Sequence, residues 1–368
     1  MAKMMHKVLK IGINGFGRIG RLLTRLFAEH TNIQLVAIND VESDLRKLCY
    51  HYNHDSLYGP PRKAASINQD SSRLLINDHS VSVYSCQTIS DVPWTDDSVD
   101  VVIDASGQFN NSEYLEKLLT SGINKVILTQ SSSSRVDRYI VMGVNDEEYC
   151  PYTDKVISAS ICDVNAVVHP LKLLESEFGI KSGFITTLHP WLSYQRLLDG
   201  FLSAAILPSK LEQDSYSLGR SCTDSLIPKQ TTLIDALVKI LPKLDGVLQA
   251  MSYRVPTSIV ASADITVQLR KSTNKNQLID LLKGNIAGSK YLCWNEEPLV
   301  SIDYKGNSAS AIYDARWIEV NNSGDLVKIV LWYDNEWGYC SRIVDMCQTI
   351  LIRRKISKRE KTNLLPLS

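Results

Sequence analysis

Residues 11–21 read IGINGFGRIGR, a glycine-rich segment that decides how the chain folds. It follows an apolar run at residues 8–14 that predicts a β-strand. After it, apolar side chains recur with helical spacing over residues 18–30, at Ile19, Leu22, Leu23, Leu26 and Phe27. The segment is therefore predicted to be the turn between a strand and a helix, at the start of an α/β fold.

Three glycines in this turn, Gly15, Gly17 and Gly20, have the spacing GxGxxG. The first makes the tight turn, the second lets the backbone approach a pyrophosphate, and the third lets helix and strand pack closely. Asp40 lies twenty residues after Gly20, where a carboxylate accepts hydrogen bonds from ribose hydroxyls and repels a 2′-phosphate. The pattern predicts a site for NAD rather than NADP. The alternative is a glycine turn in an unrelated α/β protein.

The hydrophobic pattern predicts two domains. Strands alternate with helices in the first part of the chain, which indicates a parallel sheet with right-handed crossovers. We predict a Rossmann NAD-binding domain at residues 1–161, completed by a C-terminal helix at residues 335–352. Longer runs rich in β-branched residues predict a second, α+β domain at residues 162–334, with a large, mostly antiparallel sheet.

Three segments are predicted to lie outside the regular core. Residues 80–83 alternate in polarity and are predicted to be an antiparallel edge strand. The Ser-rich residues 201–223 lack periodicity and are predicted to form a long loop. Residues 353–368 begin with RRKISKREK and have no apolar face, so we predict a solvated, disordered tail.

Composition excludes several classes of partner. The 368 residues contain 40 Lys and Arg against 40 Asp and Glu, which gives no electrostatic case for binding nucleic acid or an anionic membrane. No apolar run reaches the ~18 residues of a membrane helix, and residues 1–7 lack a signal-peptide core. The eight cysteines lack the spacing of a zinc site, so no metal is predicted. We expect free thiols in a reducing cytoplasm.

Cys162 and His189, twenty-seven residues apart, carry the predicted chemistry. A thiol beside an imidazole can attack an aldehyde, and a bound nicotinamide can then accept the hydride. Taken singly, a free cysteine such as Cys162 is more often a buried, inert thiol, and a lone His189 is more often a hydrogen-bonded core residue. Their pairing therefore needs support from the surrounding motifs.

Short motifs along nearly the whole chain resemble the glyceraldehyde-3-phosphate dehydrogenase family. The matching segments are INGFGRIGR (13–21), SGQF (106–109), KVIL (125–128), MGVN (142–145), ICDVN (161–165), TTLH (186–189), YRVPT (253–257) and WYDNEWGY (332–339). The last of these is the most specific. The erythrose-4-phosphate dehydrogenase branch shares the same signatures, so the resemblance leaves both aldehydes open as substrates.

The resemblance implies a role for each matching residue. Cys162 is the nucleophile of the catalytic domain, and His189 lowers the pKa of the thiol by ion pairing and acts as a general base. Asn335 binds the nicotinamide carboxamide. The other cofactor-contacting positions are Gly15, Phe16, Gly17, Arg18, Ile19, Asp40, Gly107 and Thr129. The resemblance also implies a homotetramer that uses inorganic phosphate to release a thioester.

The sequence beside the nucleophile departs from the family pattern. Ile161 and Asp163 replace the Ser and Thr that flank the family's cysteine, in a segment that holds the attacking phosphate. A carboxylate ~4 Å from phosphate opposes its binding by a few kcal/mol. Asp163 is also expected to raise the pKa of the thiol. Arginines expected nearby are replaced by Ser217 and Leu218.

The remaining phosphate-contacting positions are mixed. Thr231 keeps a position of the attacking-phosphate site, and Arg254 keeps one of the site for the substrate's own phosphate. Leu192 replaces a threonine of that second site. Three outcomes remain open: Lys229 or Arg220 rebuilds the phosphate site, water hydrolyses the thioester, or the chain is a low-activity paralogue that binds NAD.

Overall fold

The structure is a computed structural model that describes residues 8–68, 73–131, 135–202 and 215–363. The chain divides into two compact units. The first comprises residues 1–160 and 340–368, and the second comprises residues 161–339. The domain boundary predicted after residue 161 differs by one residue from this division.

The first unit is built on a single sheet. Its strands are β1 (Leu9–Asn14), β2 (Ile33–Asn39), β3 (Ser66–Asn68), β4 (Arg73–Ile76), β5 (His79–Tyr84), β6 (Val101–Asp104), β7 (Lys125–Leu128), β8 (Arg138–Tyr139) and β9 (Val156–Ser158). They are ordered β3-β4-β5-β2-β1-β6-β7-β9-β8. All pairings from β5 to β8 are parallel, which confirms the predicted Rossmann fold.

Helices and a buried apolar layer cover this sheet. The helices are α1 (Arg18–Phe27), α2 (Leu45–Asn53) and α3 (Leu115–Thr120). Val102 and Val126 on the sheet pack with Leu115 and Trp94 in one buried cluster. β1 lies between β2 and β6, and five of its six residues are buried, as is usual for a central strand of a parallel sheet.

The segment at residues 80–83 differs from its prediction. β5 pairs antiparallel with β4, as predicted, but it also pairs parallel with β2, so it lies inside the sheet. Asn77 and Asp78 connect β4 to β5 with φ angles of 51° and 63°. Two positive φ angles in succession are typical of a type I′ hairpin turn. The edge position therefore belongs to β3, which pairs with β4.

The second unit contains a larger sheet and its own helices. Its strands are β10 (Ile180–Pro190), β11 (Ile227–Lys229), β12 (Leu248–Val255), β13 (Ala261–Leu269), β14 (Leu292–Asn295), β15 (Ala311–Asp314), β16 (Glu319–Val320) and β17 (Leu326–Tyr333). Its helices are α4 (Cys162–Glu177), α5 (Ser215–Leu218), α6 (Leu233–Leu237) and α7 (Lys275–Ile286).

The sheet is ordered β11-β12-β10-β13-β17-β15-β14, with β16 beside β17. Its pairings are antiparallel except for β10 with β12 and β14 with β15, among the strands the structure describes. This confirms the predicted, mostly antiparallel sheet. Of the loop predicted at residues 201–223, residues 203–214 lie outside the described part, and α5 is a short helix within it.

Helix α8 (Trp337–Asn363) is longer than predicted. The prediction of a disordered tail is wrong for residues 353–363, which continue the helix, whereas residues 364–368 lie outside the described part. Arg353 donates a 3.2 Å hydrogen bond to the carbonyl of Glu147, and Arg354 forms a 2.6 Å ion pair with Asp100. The start of the basic run is thus held by acceptors of the first unit.

Short 3₁₀ helices complete the described secondary structure, at Ile89–Asp91, Phe109–Tyr114, Asp146–Glu148, Pro242–Leu244, Ser301–Tyr304 and Ala315–Trp317. Within the described ranges, no helix combines the length and apolar character needed to cross a bilayer.

Candidate active site

The glycine turn of the first unit has the geometry that its spacing predicts. A Cβ at Gly20 would lie 2.0 Å from the carbonyl oxygen of Gly15, so only glycine fits where α1 packs on the turn. Gly15 has a φ of 95°, and a Cβ there would lie 2.5 Å from the backbone of Ser106. A Cβ at Gly17 would meet no atom within 4 Å. The backbone at Gly17 is thus open to an anion at the start of α1.

A cleft of about 150 Å³ opens beside this turn. Its lining includes Gly15, Gly17, Asp40, Ser106 and Gln108. These residues follow the carboxyl ends of β1, β2 and β6, where the order of the strands reverses. Open parallel sheets bind nucleotides at such a position.

Asp40 stabilises the turn as well as facing the cleft. Its Oδ2 accepts a 2.6 Å hydrogen bond from the backbone N–H of Phe16, and its Oδ1 accepts a 2.9 Å bond from Glu42. Each carboxylate oxygen has a second lone pair, so both can still accept a hydrogen bond from a ribose hydroxyl. Arg18 and Ile19, the other predicted contacts here, are the first two residues of α1.

A buried polar network beneath the cleft was not predicted. Asp104 accepts hydrogen bonds from Asn14 at 2.9 Å and from the hydroxyl of Ser106 at 2.7 Å. Asn39 donates to Asn14 at 2.7 Å. Burial raises the pKa of Asp104. The signal available in the sequence was that β1, β2 and β6 each end in Asn or Asp.

The two remaining cofactor positions in the first unit follow adjacent strands. The hydroxyl of Thr129, just after β7, donates a 2.9 Å hydrogen bond to the carbonyl of Asp104. Gly107, just after β6, has a φ of 70° and open space where a Cβ would lie. Both positions are thus set by the ends of the parallel strands.

In the second unit, the structure brings Cys162 and His189 together. Cys162 is the first residue of α4, and His189 lies near the end of β10. The Sγ of Cys162 is 3.7 Å from the Nε2 of His189. The Nδ1 of His189 lies 2.8 Å from the carbonyl oxygen of Pro190. Because a carbonyl can only accept, Nδ1 carries the proton, and in the neutral ring Nε2 presents a lone pair to the sulfur.

Asp163 is the third member of this cluster. Its Oδ1 lies 3.6 Å from the Sγ of Cys162 and accepts a 2.8 Å hydrogen bond from the hydroxyl of Tyr333. The side chains of Asp163 and Tyr333 are buried. Burial and the neighbouring Asp163 raise the pKa of Tyr333 well above its ordinary value, so its hydroxyl remains a donor. Sequence reasoning gave Tyr333 no role, although it lies within the most specific matching segment.

Burial and charged neighbours set the electrostatics of the pair. Burial and the carboxylate of Asp163 raise the pKa of Cys162 well above its ordinary value, whereas Arg254 acts to lower it. Burial, with Arg254, lowers the pKa of His189 to about 4. These shifts favour the neutral forms of both partners, and the role that the resemblance implies for His189 stays a prediction. Asp163 raises the pKa of the Cys162 thiol, which is the predicted direction.

Arg254 lies beside His189 because of the strand register. β10 and β12 run parallel, and His189 pairs with Arg254. The side chain of Arg254 is buried, and its Nε has no hydrogen-bond partner within the part of the chain that the structure describes. A buried guanidinium N–H without an acceptor is costly unless an anionic ligand satisfies it. The arrangement fits a phosphate-bearing substrate.

The other predicted phosphate positions are spread over separate segments. Thr231 precedes α6 and accepts a 3.2 Å hydrogen bond from the N–H of Leu233. The backbone N–H of Leu192 donates a 2.9 Å hydrogen bond to the side-chain oxygen of Gln195. Arg220 forms a 3.0 Å ion pair with Asp199. Arg220, one of the two candidates to rebuild the phosphate site, is therefore already paired with a carboxylate.

Lys229 and Asn335 complete the site. The positive charge of Lys229 is one of the smaller causes of the lowered pKa of His189, and its Nζ donates a hydrogen bond to the carbonyl of Gln230. Asn335 is buried, and its Oδ1 has no hydrogen-bond partner among the described residues. An unpaired buried amide oxygen needs a donor, and a carboxamide N–H₂ is a suitable one.

Comparison with known proteins agrees with these observations. Residues 9–112 match the family model for the glyceraldehyde 3-phosphate dehydrogenase NAD-binding domain, and residues 161–335 match that for its C-terminal domain. The chain is 36% identical over 340 residues to cytosolic glyceraldehyde-3-phosphate dehydrogenase 3 of Zea mays, covering 92% of this chain and 97% of the relative. It is 33% identical over 345 residues to glyceraldehyde-3-phosphate dehydrogenase 2 of Saccharomyces cerevisiae, covering 93% and 99%.

An NAD-binding unit followed by a unit with a thiol–imidazole pair is typical of dehydrogenases that oxidise aldehydes through a cysteine. The extent of the similarity makes the assignment more specific. This chain belongs to the glyceraldehyde-3-phosphate dehydrogenase family.

Proposed function

We propose that this protein is an NAD-dependent dehydrogenase of a phosphorylated aldehyde, with glyceraldehyde 3-phosphate as its substrate. Erythrose 4-phosphate is the nearest alternative. The observation that carries the proposal is the 3.7 Å separation between Cys162 Sγ and His189 Nε2, with the Nε2 lone pair facing the sulfur. The names of the relatives support the same activity.

The chemistry begins as Cys162 attacks the aldehyde and passes its proton to His189. Nε2 accepts the thiol proton and returns it to the aldehyde oxygen as the sulfur bonds to the aldehyde carbon, which gives a thiohemiacetal and leaves His189 neutral again. His189 then accepts the hydroxyl proton as the carbon–oxygen double bond re-forms, which leaves a thioester on Cys162. Because both groups rest in their neutral forms, this transfer accompanies the attack rather than preceding it.

The cofactor is proposed to be held by the first unit and by Asn335. Gly15, Gly17 and the N-terminus of α1 would bind the pyrophosphate, and Asp40 would bind the ribose. The open backbone at Gly17 and the unpaired Oδ1 of Asn335 fit these roles. When NAD is bound, it supplies the acceptor for the hydride that leaves the substrate carbon. Phe16, Arg18, Ile19, Gly107 and Thr129 are proposed as its further contacts.

Arg254 is proposed to bind the substrate's phosphate through its unpaired Nε. A charge-assisted hydrogen bond of this kind contributes about 1.5–3 kcal/mol. Leu192 provides no hydroxyl at the position where the family has a threonine, so this chain is expected to depend more strongly on Arg254 than its relatives do.

Inorganic phosphate is proposed to release the thioester, with Thr231 and Lys229 as its contacts. Asp163 favours hydrolysis by water instead. Its carboxylate lies 3.6 Å from the sulfur that carries the acyl group, and it repels an anion there. Measuring NADH formation with and without phosphate separates the two. Strong dependence on phosphate supports phosphorolysis, and equal rates support hydrolysis.

We propose that the protein forms a homotetramer. Phe184 and Leu188 point to the same face of β10 and are 65% and 42% exposed, and Met251 on neighbouring β12 is 37% exposed. Such an apolar sheet face is typical of an interface between copies. Sedimentation should show a tetramer and a smaller species for Phe184→Lys. A cytoplasmic location is also proposed, since relatives are named cytosolic.

The main proposal is tested by Cys162→Ser, with Cys293→Ser as a matched control in the same unit. NADH formation from glyceraldehyde 3-phosphate should fall at least ~10³-fold in the first variant, because a serine hydroxyl is a far weaker nucleophile. The control should retain the rate of the parent. Equal rates in Cys162→Ser and the parent would remove the basis for a covalent mechanism.

A further inference from the structure

Three side chains of different metal-binding chemistry converge at the N-terminus of α4. Cys162, Asp163 and His189 each offer one ligand atom, and all three atoms lie within 4.8 Å of one another. We predicted no metal from the sequence, because the cysteines lack the spacing of a zinc motif. The fold creates the cluster by placing the end of β10 beside the start of α4.

We propose that this cluster is a reversible Zn²⁺ site, in which the metal occupies the nucleophile and the base and switches the dehydrogenase off. The inference goes beyond the proposed function, although it involves the same side chains. It concerns a metal in competition with the aldehyde, not a metal that takes part in the oxidation.

The distances between the ligand atoms fit tetrahedral zinc. With Zn–S of about 2.3 Å and Zn–N or Zn–O of about 2.0 Å, neighbouring ligand atoms should lie roughly 3.3–3.6 Å apart. The Sγ of Cys162 lies 3.7 Å from His189 Nε2 and 3.6 Å from Asp163 Oδ1. The third separation is at most 4.8 Å, so the carboxylate needs to move by no more than ~1.5 Å.

The surrounding hydrogen bonds also suit a metal site. Zinc-binding histidines almost always donate their second ring N–H to a carbonyl or carboxylate, and His189 donates Nδ1–H to the carbonyl of Pro190 at 2.8 Å. Ligating carboxylates are hydrogen-bonded in turn, and Tyr333 donates to Asp163 at 2.8 Å. Pro190 thus orients His189, and Tyr333 orients Asp163 through Oδ1, the oxygen that lies 3.6 Å from the sulfur.

The donor set selects the metal. A thiolate and an imidazole disfavour Mg²⁺ and Ca²⁺, which prefer oxygen ligands, and a mixed S, N and O set suits zinc. Three protein ligands leave a fourth position for water. Binding replaces the thiol proton of Cys162 with a Zn–S bond and releases that proton to solvent. The thiolate and the carboxylate then balance the charge of the metal, while Arg254 and Lys229 oppose it from nearby.

Asp163 is the ligand that distinguishes this site from a plain thiol–imidazole pair. Asp163→Asn preserves the size of the side chain and removes its anionic oxygen. Asp264→Asn is the matched control, since Asp264 lies on β13 of the same unit, paired with Lys328, outside the cluster. Cys162→Ser removes the sulfur, and Cys293→Ser controls for it.

The test measures metal bound to the whole protein in the absence of substrate and NAD. Equilibrium dialysis against Zn²⁺ should give one ion per chain for the parent, Asp264→Asn and Cys293→Ser. Asp163→Asn should bind at least ~10-fold more weakly, and Cys162→Ser should lose the site. Co²⁺ in the parent should give a thiolate-to-metal charge-transfer band that is missing in Cys162→Ser.

Unchanged affinity in Asp163→Asn, or absence of the charge-transfer band in the parent, would overturn the proposal. Circular dichroism of each variant separates loss of the site from loss of the fold. The oxidation of glyceraldehyde 3-phosphate is assayed separately in the presence of a chelator. If the protein does not bind zinc, the proposed dehydrogenase activity is unaffected. If it does not oxidise the aldehyde, the measurement of bound metal is still valid.

Discussion

The hydroxyl of Tyr333 donates a 2.8 Å hydrogen bond to Asp163 Oδ1, the same oxygen that lies 3.6 Å from the sulfur of Cys162. The two residues are 170 positions apart in the chain. A carboxylate is thereby fixed beside the nucleophile, where it keeps the thiol protonated. The reactivity of Cys162 therefore depends on Asp163 as well as on His189.

Replacing Asp163 with Asn should make the thiol more acidic, because the carboxylate is one of the two main causes of its raised pKa. The rate of alkylation by iodoacetamide, measured with chelator present, should reach its plateau at lower pH. At neutral pH it should rise about tenfold for each unit by which the pKa falls. Asp264→Asn should have the profile of the parent. An identical profile for Asp163→Asn would show that burial alone sets the reactivity.

His189 should make the protein less stable in acid. Its pKa is about 4 in the folded state, against an ordinary value of 6.5. As the pH falls from 6.5 to 4, the unfolded chain binds a proton that the folded chain excludes, so stability is lost through this window. The loss is ~3 kcal/mol at its upper limit. Urea unfolding at pH 4.5 and 7 should show a smaller difference in His189→Gln than in the parent.

Arg254→Gln should weaken the use of a phosphorylated aldehyde. Loss of one charge-assisted hydrogen bond costs about 1.5–3 kcal/mol, which corresponds to a ~10–150-fold lower kcat/KM for glyceraldehyde 3-phosphate. The decrease should be much smaller for glyceraldehyde, which has no phosphate to lose. Arg270→Gln, at an exposed position of the same unit, serves as the control. An equal decrease for both aldehydes would show that Arg254 supports the Cys162–Asp163–His189 cluster and does not bind the substrate's phosphate.

Gly17→Ala and Gly20→Ala should fail in different ways. A methyl group at Gly20 would lie 2.0 Å from the carbonyl of Gly15, so that variant should lose a few kcal/mol of stability. A methyl group at Gly17 meets no protein atom within 4 Å, and its φ of −68° suits alanine. Gly17→Ala should therefore melt within a few degrees of the parent and bind NAD far more weakly. Thermal denaturation and NAD titration by calorimetry check both. Unimpaired NAD binding by Gly17→Ala would place the pyrophosphate elsewhere.

The parts of the fold that local patterns determine were predictable. The strand, glycine turn and helix over residues 9–27 depend on spacing within a short segment, and the structure has them. The position of β5 depended on pairing with β2, which no local pattern encodes, although the Asn77–Asp78 turn was a readable hairpin signal. The extension of α8 depended on acceptors for Arg353 and Arg354 from distant segments.

The candidate site divides in the same way. Cys162 and His189 could be paired from motifs that resemble a family, and Asp163 was visible as a departure from that pattern. The orientation of Asp163 could not be predicted, because its partner Tyr333 comes from the far end of β17. The direction of the two pKa shifts also escaped prediction, since the desolvation that causes them is a property of the packed unit.

The parallel pairing of β10 with β12 constrains how this enzyme can diverge. His189 and Arg254 are adjacent only in one alignment of the two strands, and a single inserted or deleted residue in either would turn one side chain to the opposite face of the sheet. New substrate preferences can therefore arise by exchanging side chains such as Leu192 just beyond β10. Insertions and deletions within either strand are not tolerated, because they would separate His189 from Arg254.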